Sequence, residues 1–96
     1  MLSLGRRNFS TLKLVVLRHG QTEDNLAKRW SGWTDAKLTS TGRTDAAECA
    51  HLISKENLEF DIAYCSYLSR SIDTLNIILE GLQSRNVEVR SRWQLN

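Results

Sequence analysis

Arg18-His19-Gly20 follows directly on the apolar run Leu12–Leu17, which only Lys13 interrupts. Side by side, an imidazole and a guanidinium could attack and hold a phosphoryl group. The neutral ring is a nucleophile, and the planar guanidinium fork matches phosphate oxygens two at a time. Three further polar clusters have the composition to complete an anion pocket. Ser31-Gly32 sets a hydroxyl beside a glycine, whose backbone an anion can approach closely. Ser66, Leu68, Ser69 and Arg70 stand together at what reads as a helix start. There the helix dipole disfavours a cation, so an arginine at position 70 points to an anionic ligand rather than to helix stability. Trp93–Asn96 is the fourth cluster. No Gly-rich Walker pattern and no acidic cluster for magnesium accompanies them, so a metal-free histidine mechanism is expected. His51 falls on a helix that ends in polar residues and is expected at the surface.

These residues need elements to position them. Leu12–Leu17 reads as a buried strand that Gly20 and the polar stretch Gln21–Asn25 terminate. One helical turn near Asp24–Lys28 and an irregular loop at Trp30–Trp33 follow. Thr39 is a plausible N-cap, and Ala46, Ala47, Ala50 and Ile53 share one helix face, with Gly42 lowering helix propensity in the first turn. Phe60–Cys65 alternates as a second strand. Ser66 or Ser69 is expected to cap the next helix, where Leu68, Ile72, Leu75, Leu79 and Leu82 recur in steps of four and three. Val87–Arg90 is the third strand. Strands alternating with helices imply right-handed crossovers and a parallel sheet of the α/β class. A strand at whose C-terminal end His19 emerges puts that histidine where open α/β sheets bind ligands. Three strands and two helices cannot cover both faces of such a sheet, so residues 12–96 read as the front half of a domain.

Composition narrows the rest. The 96 residues carry 13 basic and 11 acidic side chains, a near balance that calls for neither nucleic acid nor an anionic membrane as partner. No stretch is long enough to span a bilayer. Cys49 and Cys65 lack metal-ligand spacing, lie in apolar surroundings and read as buried free thiols of a reducing compartment. Met1–Thr11 is basic, bears serines and has no acid, the composition of a mitochondrial presequence. The segment is short and runs straight into the first strand, so a flexible tail on a cytoplasmic protein is the expectation and import the alternative.

Arg18-His19-Gly20 followed by Gln21-Thr22-Glu23 resembles the histidine phosphatase superfamily. Gly32-Trp33-Thr34-Asp35-Ala36-Lys37-Leu38-Thr39 with Gly42, Tyr64-Cys65-Ser66 with Leu68–Thr74, and Trp93-Gln94-Leu95-Asn96 look like its cofactor-dependent phosphoglycerate mutases. The resemblance implies a three-layer sandwich around a mostly parallel sheet. It implies that His19 becomes a phosphohistidine charged by 2,3-bisphosphoglycerate, passing phosphate between the 3- and 2-positions of glycerate in glycolysis without a metal. Arg18 and Arg70 would clamp the transferred phosphate and Asn25 would hydrogen-bond to it. Ser31 and Gly32 would hold the glycerate end, with Gly20, Gln21, Thr22, Glu23 and Asp24 shaping the loop around them.

Asp24 stands where these mutases usually carry tryptophan, and adds negative charge near an anion pocket. Thr22 replaces a commoner serine and keeps the hydroxyl. The family's acid/base glutamate, which directly follows Trp-x-Leu-Asn, its companion arginine and tyrosine, and a distant second histidine are not among these 96 residues. The expectation is half an active site. The alternatives are a phosphatase of small phosphate esters or sugar bisphosphates that uses the same histidine, and a non-catalytic fragment. A homo-oligomer or association with a full-length subunit is the expected partnership, and the second would supply the missing half.

Overall fold

The structure, a computed structural model, describes residues 2–5, 14–56, 58–83 and 87–96. In chain order they form strand β1 (Leu2–Gly5), β2 (Leu14–Leu17), the single turn α1 (Glu23–Leu26), α2 (Ser40–Lys55), β3 (Ile62–Cys65), α3 (Ser69–Gly81), β4 (Glu88–Ser91) and a 3₁₀ turn at Trp93–Leu95. The α/β class read from the sequence holds, and the elements fall where the periodicity puts them. The four strands form one sheet in the order β2-β1-β3-β4. β3 and β4 pair in parallel, whereas β1 is antiparallel to both β2 and β3. β2, β3 and β4 therefore run the same way.

β1 is the departure. The sequence reading takes Met1–Thr11 as a tail, but Leu2–Gly5 forms a strand in the interior of the sheet. Its register sets Leu2 opposite Leu17 and Cys65, and Gly5 opposite Leu14 and Ile62. The rest of that stretch lies outside the described residues.

One hydrophobic cluster joins both long helices to the sheet: Ala46, Ala50 and Ile53 of α2, Leu75 and Ile78 of α3, Ala63 and Cys65 of β3, and Phe60. Val15 and Leu17 of β2 pack against it half-buried. Strand side chains alternate between faces, so the same alternation sends Leu14 and Val16 to the opposite side. They are 66 % and 53 % exposed, and no described element covers them. On α3 the fully buried line is Ser71, Thr74, Leu75 and Ile78 rather than the leucine stripe alone. Two small polar residues enter it because that face meets the loop after β2 as well as α2.

Two glycines are fixed by that meeting. A Cβ on Gly20 would strike the carbonyl oxygen of Gly42, and one on Gly42 would strike that of Gln21. Gly42 weakens the start of α2, and the fold retains the weakness because the His19 loop lies backbone to backbone on that turn. The Thr39 cap holds the same junction. Its backbone N–H donates to the Gln21 carbonyl, its hydroxyl donates to Gln21 Oε1 at 2.8 Å, and its Oγ1 accepts from Gly42 N at 3.1 Å.

Candidate active site

His19 leaves the C-terminal end of β2 and lies half-buried. Its Nδ1 is 2.7 Å from the Gly20 carbonyl oxygen. A carbonyl only accepts, so Nδ1 carries the proton and Nε2 holds the free lone pair. Burial, the largest influence, lowers the ring's pKa below its ordinary 6.5. The bond to Gly20 opposes this, and the charges of Arg70 and Arg18 add to it. The ring is therefore neutral at physiological pH, as a nucleophile must be.

The loop carrying His19 is pinned to α3 through a residue that the sequence reading gives no role. Gly20 N donates to Thr74 Oγ1 at 3.2 Å, and that hydroxyl donates in turn to the Arg70 carbonyl at 2.6 Å. Thr74 is buried. Its only signal in sequence is its place one helical turn beyond Arg70.

Arg70 is buried, in the first turn of α3. Its guanidinium donates to the Thr34 carbonyl at 2.8 Å and the Gly32 carbonyl at 2.5 Å. These two bonds fix the group in place while other N–H donors of the five remain. Gly32 has a φ of 54°, the left-handed region that favours glycine. Expected as a point of close anion approach, it instead turns the loop so that its carbonyl meets Arg70.

The cap of α3 differs from expectation. Leu68 occupies the N-cap position without a side-chain bond, and Ser66 Oγ accepts only from Leu68 N. Neither Ser66 nor Ser69 caps the helix. Asp35 does so from the distant loop before α2: its Oδ1 accepts from Ser69 N at 2.6 Å and from Ser69 Oγ at 2.8 Å. These bonds hold the Asp35 carboxyl below its ordinary pKa.

The remaining predicted site residues are largely engaged with one another. Thr22 is buried and forms a capping box with Asn25: Thr22 N donates to Asn25 Oδ1 at 3.0 Å, and Asn25 N to Thr22 Oγ1 at 3.2 Å. Glu23 N donates to the Lys37 carbonyl. Asp24 accepts from the Ser31 hydroxyl at 2.9 Å and pairs with Arg29 at 3.2 Å. The acid that departs from the family pattern therefore ties down the serine expected to hold substrate. His51 is exposed, as expected.

His19, Ser66, Arg70, Ser71, Gln94 and Asn96 line a cavity of about 290 Å³. Asn96 Oδ1 accepts from Tyr67 N at 3.1 Å, bringing the Trp93–Asn96 segment over the turn between β3 and α3. Trp93 meets Trp33 of the Gly32 loop, with ring centroids 6.3 Å apart and planes tilted by 53°. A second cavity of about 140 Å³ is walled by Arg18, His19, Gln21 and Thr74, with Asp45 and Cys49. Arg70 lines the first of these hollows beside His19, and Arg18 the second. Arg18 is exposed. Among the described residues no group of three or more His, Cys, Asp or Glu could hold a metal, and no helix is long and apolar enough to cross a membrane.

A mixed sheet whose β2, β3 and β4 run the same way, a histidine at the end of β2 and a buried arginine at the start of α3 define a class. Residues 14–94 match the model of the histidine phosphatase superfamily (branch 1), and the chain belongs to that family. Among curated relatives, the 2,3-bisphosphoglycerate-dependent phosphoglycerate mutase of Dichelobacter nodosus is 46 % identical over 84 residues, 88 % of this chain and 34 % of that protein. The mutase of the same name from Borreliella burgdorferi shares the same identity and coverage. Among solved structures, a mycobacterial glucosyl-3-phosphoglycerate phosphatase in complex with VO3 superposes with a TM-score of 0.70 at 34 % identity, over 83 % of this chain and 36 % of its own. Phosphoserine phosphatase from Entamoeba histolytica, in complex with 3-phosphoglyceric acid, gives a TM-score of 0.60 at 37 % identity, over 76 % of this chain and 34 % of its own. The chain spans about a third of the length of the curated relatives it matches.

Proposed function

We propose that this chain carries the nucleophilic part of a 2,3-bisphosphoglycerate-dependent phosphoglycerate mutase, with His19 as the group phosphorylated. The observation that carries this reading is the His19 ring itself: Nδ1 is bonded to the Gly20 carbonyl, Nε2 is left free, and the ring lines a cavity shared with Arg70. Nε2 attacks the phosphorus of a phosphate monoester, the P–N bond forms, and the P–O bond to the departing glycerate oxygen breaks. Arg70 and Arg18 supply guanidinium groups on either side of His19 for the phosphoryl oxygens. Asn25 retains its amide N–H groups for the same anion, because its bond with Thr22 uses Oδ1. Gly20 to Asp24, with Ser31 and Gly32, shape the loop about the glycerate end. When bound, 2,3-bisphosphoglycerate supplies the priming phosphoryl group. The names of the relatives support the mutase branch, and the cytoplasm, where phosphoglycerates are metabolised, is the compartment proposed. Because the chain spans a third of those relatives, turnover belongs to the assembled domain, reached in a longer protein or with a second subunit.

The phosphatase reading has an observation of its own, since the superposing solved structures include phosphatases of phosphoglycerate-like esters. One experiment separates the readings. Incubation with labelled 2,3-bisphosphoglycerate is expected to leave an acid-labile phosphate on the chain, and His19→Ala abolishes it. Label that persists in His19→Ala overturns the assignment. Discharge of the label to 3-phosphoglycerate supports the mutase reading, and discharge to water alone supports the phosphatase.

A further inference from the structure

Asp24 and Ser31 are joined in a way that fixes the direction of one proton. Ser31 Oγ lies 2.9 Å from Asp24 Oδ2. A carboxylate only accepts, so the serine hydroxyl donates, and it has no second proton to give. Toward anything else Ser31 Oγ presents lone pairs alone. Both partners are held. Asp24 Oδ1 pairs with Arg29 at 3.2 Å, and the Asp24 carbonyl accepts from Arg29 N at 2.8 Å. The Asp24 side chain is only 13 % exposed, so water competes little for its bonds. The Ser31 carbonyl accepts from Thr34 N at 2.8 Å, closing the turn that carries Gly32.

That turn borders the site of the proposed chemistry. The Gly32 carbonyl accepts from the guanidinium of Arg70, which lines the cavity with His19. Ser31 is the residue before Gly32, and neighbouring Cα atoms stand about 3.8 Å apart, comparable to the carbon chain of a small phosphate ester. Ser31 is half-buried rather than enclosed, so its oxygen is open to a ligand. Asp24 takes no part in the attack by His19. Its effect on a ligand passes through the serine proton it holds.

We propose that Asp24 is a positioning residue that sets the substrate class of this site: through it Ser31 accepts from a free hydroxyl of the phosphate ester and turns away a carboxylate. A substrate hydroxyl supplies the proton that the Ser31–Asp24 pair lacks. A carboxylate brings only further lone pairs and a charge of the same sign as Asp24. A site that takes a substrate's O–H discriminates strongly against an analogue without one. The proposal rests on the reading of Ser31 as part of the glycerate end, and it gives that place to the glycerate hydroxyl.

Two esters of equal carbon length separate the classes: hydroxyethyl phosphate ends in a hydroxyl, phosphoglycolate in a carboxylate. Their affinities for the full chain are compared by ligand-observed nuclear magnetic resonance, which requires no phosphorylation of His19. Asp24→Ala returns the proton to Ser31 and is expected to shift the ratio of affinities about tenfold toward phosphoglycolate, the size of one hydrogen bond to a charged group. In a Ser31→Ala background the same substitution is expected to shift it less than about threefold, because only a screened charge is then removed. Ser31→Ala alone leaves the Asp24–Arg29 pair in place; it weakens hydroxyethyl phosphate several-fold and leaves phosphoglycolate unchanged. A purely structural role would weaken both esters alike and keep the ratio. A ratio indifferent to Asp24→Ala, an equal shift in both backgrounds, a Ser31→Ala that weakens both esters alike, or no binding of either ester overturns the proposal. The expected selectivity with an unlabelled His19 overturns the phosphohistidine reading alone.

Discussion

In the proposed reaction His19 attacks through Nε2, the nitrogen left free by the hydrogen bond at Nδ1. Since burial lowers its pKa below 6.5, the midpoint at which labelling by bisphosphoglycerate is lost on acidification is expected below that value. A midpoint above 6.5 would show a ring that is not held neutral. The same shift acts on stability. Between the folded pKa and 6.5 the unfolded chain binds more protons, so stability falls as pH drops through that window. Thermal midpoints measured across it check this, and His19→Gln flattens the slope. Thr74→Val keeps the volume but removes the acceptor of Gly20 N, an expected loss of about 1–2 kcal/mol with slower labelling. Thr74→Ser restores both. The places of Arg18 and His19 after a strand and of Arg70 at a helix start were legible from the apolar run before position 18 and the helical spacing beyond Leu68. Thr74 was not, because a threonine at helical spacing carries no signal until its partner's position is known.

At the scale of elements, α3 depends on a loop distant in sequence. Asp35→Ala takes away its cap at an expected cost of about 1 kcal/mol, with lower helicity by circular dichroism. Asp35→Asn, which keeps an acceptor, loses less. The bonds from Ser69 hold the Asp35 carboxylate ionised, so their contribution is present above the unfolded pKa of about 3.8 and is lost as pH falls through the lower folded value. Helix propensity alone would favour Gly42→Ala by about 1 kcal/mol. The Gln21 carbonyl occupies the space of the new methyl group, so a net loss of about 2 kcal/mol is expected instead, read as a lower melting temperature. Both helices and three of the four strands were legible from periodicity and from Thr39. The α3 cap was misplaced because serines beside a helix start are the usual local solution, and the long-range one leaves no local pattern.

For the molecule as a whole, the second face of β2 is the dominant fact. Leu14 and Val16 stand exposed, and Val16 lines a hollow of about 480 Å³ with Leu17, Arg18 and His19. Apolar surface of this kind promotes association. Leu14→Lys with Val16→Lys is expected to reduce binding of an apolar dye and raise the concentration at which the chain stays monodisperse, with unchanged helicity. Unchanged dye binding would place the exposed surface elsewhere. Three strands and two helices already implied such a face. The insertion of β1 was not legible, because a leucine-serine-leucine-glycine run inside a basic, acid-free stretch resembles a leader more than a strand.

Trp33 and Trp93 belong to the two segments that flank Arg70 from opposite ends of the chain, and their rings touch at a tilt. Two indoles so close couple their electronic transitions, and the coupling varies steeply with distance and angle. The chain therefore carries its own optical ruler beside the cavity that His19 and Arg70 line. A ligand that draws the Gly32 loop toward the C-terminal turn changes the near-ultraviolet dichroism without any added label, and Trp33→Phe silences that change.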